Sequence, residues 1–179
     1  MLGSNSVATA GMKRLYLLRH AKSSWDEPGL ADRDRPLAPR GRRASKVMAK
    51  HLRDGRIAPE LVLCSPSQRT RETLDRIGID DSRVRIEADL YGASAGDLLA
   101  VLNRVADDVD SVMLIAHNPG IQDLAIQLAG PGPEIARVRR KFPTAALATL
   151  ELDGTWTELT PGGAELVAFV KPKELSGSA

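Results

Sequence analysis

The chain reads as an α/β protein, a three-layer α/β/α sandwich around a mainly parallel sheet. Three observations predict this. Short apolar runs recur at residues 15–18, 61–64 and 112–116, each the length of a buried strand. Each is followed, directly or after a polar loop, by a stretch with helical spacing. At 179 residues the chain is the size of one domain, and strands alternating with helices pack as a sheet covered on both faces.

The elements follow in order. Leu15-Tyr16-Leu17-Leu18 is the first strand. Residues 20–39 are polar and dotted with Pro and Gly, a long loop of the kind that usually carries function. Residues 40–54 form a helix with Ala44, Val47, Met48 and Leu52 along one face. Leu61-Val62-Leu63-Cys64 is the second strand, followed by a helix over 66–77. Residues 84–87 read as a short strand, 95–105 as a helix, 112–116 as a third strand and 119–129 as a further helix. Residues 145–152 and 166–170 are late strands, with an edge strand at 156–159.

The ends read differently. Residues 1–11 are small and polar and are expected to form a disordered extension, without the basic start or apolar core of a signal peptide. Met12 offers an alternative start, the other reading being that residues 1–11 are an addition to the native chain. Residues 12–172 are read as a single domain and 173–179 as a loose tail.

Composition excludes several classes. Net charge is +2 and aromatic residues make up 3%, which fits neither a nucleic-acid protein nor a base-stacking platform. No apolar run reaches the length of a membrane helix. A single cysteine offers no disulfide framework and fits a cytoplasmic protein. Of 25 basic residues, 18 are Arg, the side chain suited to bidentate binding of phosphate and carboxylate.

In α/β sheets the site lies beyond the carboxyl ends of the strands. Here those ends carry Arg19-His20, then Cys64-Ser65-Pro66 leading to Arg69, then His117-Asn118-Pro119. Two of the three histidines in the chain therefore follow buried strands. Ser65 with Pro66 reads as a helix start, as does Asn118 with Pro119. Arg69 near a helix N-terminus opposes the macrodipole. A bound anion would resolve that conflict, as would a pairing with Glu72 or Asp75. Two arginines, two histidines and two helix starts suit a tetrahedral dianion: phosphoryl transfer needs neutralised oxygens and an in-line nucleophile.

Other readings fit less well. Cys64 and Arg69 have four residues between them, one short of the cysteine phosphatase spacing, so Cys64 is read as a small buried hydrophobe. Asp32-Arg33-Asp34 superficially resembles the aspartate pair of haloacid-dehalogenase-type phosphatases, but lies in a polar loop rather than after a strand. No closely spaced His pair supports a metal site, and no cofactor is expected. His51 is read as structural or surface.

Together these residues resemble the histidine phosphatase, or phosphoglycerate mutase-like, superfamily, from about Leu15 to at least His117. The resemblance is carried by Leu17-Leu18-Arg19-His20-Ala21-Lys22-Ser23-Ser24-Trp25-Asp26, by Asp34-Arg35-Pro36-Leu37 with Gly41, by Ser65-Pro66-Ser67-Gln68-Arg69-Thr70 with Thr73, and by His117-Asn118. The short chain, the opening motif and Phe142-Pro143-Thr144-Ala145 are most similar to the SixA-type subfamily. The resemblance implies a metal-independent phosphatase acting on phosphohistidine. His20 would be the nucleophile, Arg19 and Arg69 would hold phosphoryl oxygens, His117 would stabilise the transferring group, and Asp26 would lie at the pocket rim. Its partner would be a phosphorylated protein or small substrate.

Two departures stand out. The family's Gly after the nucleophile is Ala21. Larger members carry a glutamate general acid before a Tyr-Gly turn, and here that position falls on Ala88, with Glu87 and Asp89 as neighbours. A chain without an assured acid, whether Glu87, Asp89 or Asp26, expels imidazole more readily than an alkoxide. This favours a phosphoramidate, or another labile phosphoryl group, over sugar phosphates. The alternatives are a broad small-molecule phosphomonoesterase and a phosphate-binding module without turnover. Arginines near His20 favour its neutral form, so activity is expected to fall on the acid side.

Overall fold

A computed structural model describes residues 11–177. The expectation for residues 1–11 lies outside these, apart from Gly11, which is exposed. One six-stranded sheet organises the chain, in the order β3-β2-β4-β1-β5-β6. Its strands are β1 (Lys13–Arg19), β2 (Leu61–Cys64), β3 (Val84–Ile86), β4 (Ser111–Ala116), β5 (Leu147–Leu152) and β6 (Glu165–Val170). β1 to β4 run parallel, β5 is antiparallel to β1, and β6 is antiparallel to β5. The sheet is thus mainly parallel, as the alternation of patterns predicts.

Helices cover both faces: α1 (Pro39–Asp54), α2 (Gln68–Ile77), α3 (Ala95–Leu102), α4 (Gly120–Leu128), α5 (Pro133–Arg140) and α6 (Pro172–Leu175). The pleat sends alternate residues of β1 to opposite sides. Leu15 and Leu17 join the core under α3, α4 and α5, which also holds Trp156 and Phe142. Tyr16 and Leu18 join the second core, with Met48 and Leu52 of α1 and Leu74 and Ile77 of α2.

Four details differ from the sequence reading. Residues 156–159 form a turn, not an edge strand. The Asn103 side-chain amide donates to the Trp156 carbonyl at 2.7 Å and to the Leu159 carbonyl at 3.0 Å, so those groups are satisfied without a ladder. The helix after β2 starts at Gln68 rather than Pro66, because the Ser67 side chain caps the Thr70 amide. α5 has no counterpart in the sequence reading: only Ile135 and Val138 of its residues are buried, too few to mark a stripe. The expected loose tail forms the turn of α6, where Glu174 pairs with Arg137.

Gly41 in the first turn of α1 packs directly on the segment after β1. A Cβ placed there would lie 2.1 Å from the Lys22 carbonyl oxygen, a backbone clash that no rotamer relieves. Gly41→Ala is expected to lose about 1–3 kcal/mol of stability, read as a lower urea midpoint; an unchanged midpoint would contradict this close approach.

Candidate active site

The register of the parallel strands assembles the site. Arg19 pairs with Ala116 across β1 and β4, so the next residues, His20 and His117, emerge side by side. Cys64 pairs with Ile115 across β2 and β4, which brings Ser65 level with Ala116, one residue before His117. The imidazoles of His20 and His117 are 5.2 Å apart between centroids. The Ser65 hydroxyl and His117 Nε2 share a hydrogen bond of 2.7 Å. Ser65, expected as a helix cap, holds a histidine instead. Asn118, also expected as a cap, turns its amide to the Phe142 carbonyl and Gln122, and its Oδ1 is buried without a partner among the described residues.

His20 Nδ1 lies 2.7 Å from the Ala21 carbonyl. A carbonyl only accepts, so Nδ1 carries the proton and the lone pair of the neutral ring sits on Nε2. Around it the backbone is pinned. The Ala21 amide donates to Thr73 Oγ1 at 3.0 Å, and that hydroxyl donates to the Arg69 carbonyl at 2.7 Å, tying α2 to the end of β1. The Ala145 amide donates to the Arg19 and His20 carbonyls. To reach both, Ala145 adopts a φ of 60°, a left-handed conformation rare for a residue with a Cβ.

Arg19 donates from Nη1 to the Phe142 carbonyl at 2.8 Å. Arg69 donates from Nη1 to the Asp32 carbonyl at 2.7 Å and from Nη2 to Asp32 Oδ2 at 3.0 Å. The Nε of each arginine is buried with no partner among the described residues. Buried N–H groups of this kind are rare in folded proteins, and two in one cluster mark where an anion's oxygens would be met.

Burial is the largest influence on both histidines. It pushes His20 down to about 3, helped by His117, Arg69 and Arg19 and opposed by the Ala21 carbonyl. It pushes His117 down to about 4, with Arg69 adding to the effect and Asp32 opposing it. Both rings are neutral near pH 7. Asp32 is held far below the ordinary carboxylate range, first by the Tyr91 hydroxyl and then by Arg35 and Arg69. Burial pushes the Cys64 thiol up to about 12, in keeping with its reading as a hydrophobe.

The structure thus brings Arg19, His20, Arg69 and His117 together. Asp26 is exposed, its amide bonded to Ser24 Oγ. Asp89 pairs with the exposed Arg104 at 3.0 Å, and no hydrogen bond ties Glu87 to the cluster among the described residues. The charge conflict at Arg69 is met by Asp32 rather than by Glu72, which pairs with Arg42 and Arg76, or by Asp75. Asp32 and Tyr91 also belong to the site, although the sequence marks Asp32 only as part of a polar loop and Tyr91 not at all. Their one sequence signal is the spacing of Asp32 three before Arg35, whose Nε and Nη2 donate to Asp32 Oδ1.

The family model of the histidine phosphatase superfamily (branch 1) matches residues 15–107. The chain belongs to the histidine phosphatase superfamily. An uncharacterized protein of Mycobacterium tuberculosis (strain ATCC 25618 / H37Rv) is 42% identical over 160 residues, 87% of this chain and 100% of that one. A solved structure from Nakamurella multipartitia, named a putative phosphohistidine phosphatase SixA, superposes with a TM-score of 0.82 at 33% identity, covering 92% of this chain and 98% of that one. The protein histidine phosphatase SixA, complexed with tungstate, superposes with a TM-score of 0.75 at 26% identity, covering 90% and 99%. The phosphoglycerate mutase-like fold and an enzyme acting on phosphoryl groups, a hydrolase, follow from these. No helix among the described residues is long and apolar enough to cross a membrane.

Because the folded-state pKa of His20 is depressed, the unfolded chain binds a proton that the folded chain refuses. Stability is therefore expected to fall as pH drops below about 6.5, by roughly 1 kcal/mol per pH unit for each such histidine until its folded pKa is reached. In His20→Asn the fall of the urea midpoint between pH 6.5 and 4 should be shallower. Equal slopes in parent and variant would contradict the burial of neutral His20.

Proposed function

We propose that the chain is a phosphohistidine phosphatase working through a phosphoryl intermediate on His20. The observation that carries the reading is the hydrogen bond from His20 Nδ1 to the Ala21 carbonyl, which leaves Nε2 as the nucleophilic atom. Arg19 and Arg69 bind the phosphoryl oxygens through their Nε sides, and neutral His117, held by Ser65, donates to the same group. Asp26, on the loop before Asp32, belongs to the rim.

In the first step Nε2 attacks phosphorus, the P–N bond of the substrate breaks, and the leaving imidazole keeps the electron pair. Water then attacks phosphorus, the P–Nε2 bond breaks, and its pair returns to His20 as inorganic phosphate forms. The choice of substrate follows from the carboxylates. The one bonded to this cluster among the described residues is Asp32, and it is held ionised. It has no proton to give an alkoxide, whereas an imidazole protonated from solvent departs without an acid. The tungstate complex of a SixA relative supports the oxyanion reading, since tungstate is also a tetrahedral oxyanion.

Phosphate release from a phosphohistidine protein and from p-nitrophenyl phosphate, measured in parallel in EDTA, tests this. The phosphohistidine protein should turn over at least about tenfold faster, and His20→Ala should abolish both activities, since loss of a nucleophile typically costs several orders of magnitude. Comparable turnover of the aryl ester would favour a broad phosphomonoesterase. Phosphate binding with no turnover would favour a binding module. With His20 pushed down to about 3, its acid limb should lie well below where an ordinary histidine would place it in the free enzyme. This moves the expected acid-side fall downwards, so activity persisting to pH 4 is compatible with His20 as nucleophile.

A further inference from the structure

The mechanism above leaves a group of side chains on the 20–39 loop without a task. At its centre, Asp32 grips Arg69 end-on: the backbone carbonyl takes Nη1 and the carboxylate takes Nη2. An end-on grip occupies the two outer nitrogens and leaves the edge formed by Nε and the second N–H of Nη2. Arg69 Nε is the buried, unpartnered donor. Arg19 is arranged alike, with Nη1 taken by the Phe142 carbonyl and Nε unpartnered. Each guanidinium thus offers the same edge.

The grip is itself braced. The Tyr91 hydroxyl donates to Asp32 Oδ2 at 2.7 Å, and the Tyr91 ring stands edge-on to His117, 5.6 Å away. Arg35 donates to Asp32 Oδ1 from Nε at 3.2 Å and from Nη2 at 3.0 Å. Arg35 is fixed in turn by Ser23 Oγ at 2.8 Å and by the Trp25 ring, 3.6 Å from its guanidinium carbon. An isolated surface ion pair contributes little because both side chains are mobile. Here Arg69 is buried and both Asp32 oxygens are engaged, so the carboxylate has one orientation to offer. Because it holds the end and not the Nε edge, it orients the guanidinium without competing with a phosphoryl group for that edge.

We propose that Asp32 is a positioning residue, which aims the Nε–Nη2 edge of Arg69 at the phosphoryl oxygens. The proposal rests on the reading of Arg69 as a phosphoryl ligand. A double-mutant cycle tests it. Asp32→Ala in the parent should lower kcat/KM for both substrates by about 10- to 100-fold, mostly in kcat, as expected for a misaimed catalytic group. Asp32→Asn, which keeps an acceptor oxygen, should recover part of the loss. In Arg69→Lys, which has no fork to aim, Asp32→Ala should cost less than about twofold. A loss that multiplies in full in the Arg69→Lys background, or no loss in the parent, would overturn the proposal. Should Asp32→Ala fail to fold, the same cycle is read with Asp32→Asn. Should the parent turn over neither substrate, the proposed function fails, and the cycle is read by calorimetry with inorganic phosphate. Weakening that depends on Arg69 then supports the positioning role, and weakening that does not, or none, overturns it.

Discussion

Arg19 is a guanidinium whose one hydrogen-bond partner among the described residues is a backbone carbonyl. It is half-buried, its Nε is fully covered, and burial lowers its pKa. A charge removed from water without a counter-charge is costly unless something of opposite sign meets it. Much of the local structure follows from this one imbalance. It is next in sequence to His20, so it helps hold that ring neutral. It shares the Phe142 carbonyl with Asn118, which joins the ends of β1 and β4 to the segment before β5. Arg69 has its carboxylate, Asp32, and Arg19 has none among the described residues. The cluster as a whole therefore carries the surplus positive charge that a phosphoryl dianion answers.

The parallel register turns that charge into a site. Residues 19 and 116 are paired neighbours, and the chain leaves both strands at the same level. This much was legible in the sequence, because apolar runs of four or five residues end abruptly at Arg19-His20, Ser65 and His117-Asn118. A strand's end is written locally, by where hydrophobicity stops. The rule that α/β sites lie at those ends then brings Arg19, His20 and His117 together from the sequence alone. Arg69 was legible as an anion candidate because its position opposes the helix dipole.

Asp32 and Tyr91 were not legible, for a different reason. Their contacts span 37 and 59 positions in the chain, and neither lies on a periodic element that would fix its direction. Polar loops carry no hydrophobic pattern, so the long loop announced itself as functional in length but not in residue. Ser65 shows the same limit: local rules assign it to a helix cap, whereas the partner it finds, His117, is 52 positions away. The turn at 156–159 was misread because its carbonyls are satisfied by the Asn103 side chain, a contact with no local signature.

The central claim is that Nε2 of His20 is the atom that forms a bond to phosphorus. Phosphoryl-enzyme trapped at alkaline pH, where phosphohistidine survives, can be digested and its isomer assigned by phosphorus NMR of the His20 peptide. One phosphoryl group is expected on His20, attached through Nε2, because the Ala21 carbonyl occupies Nδ1. A phosphoryl group on Nδ1 of His20, or on any other residue, would contradict it.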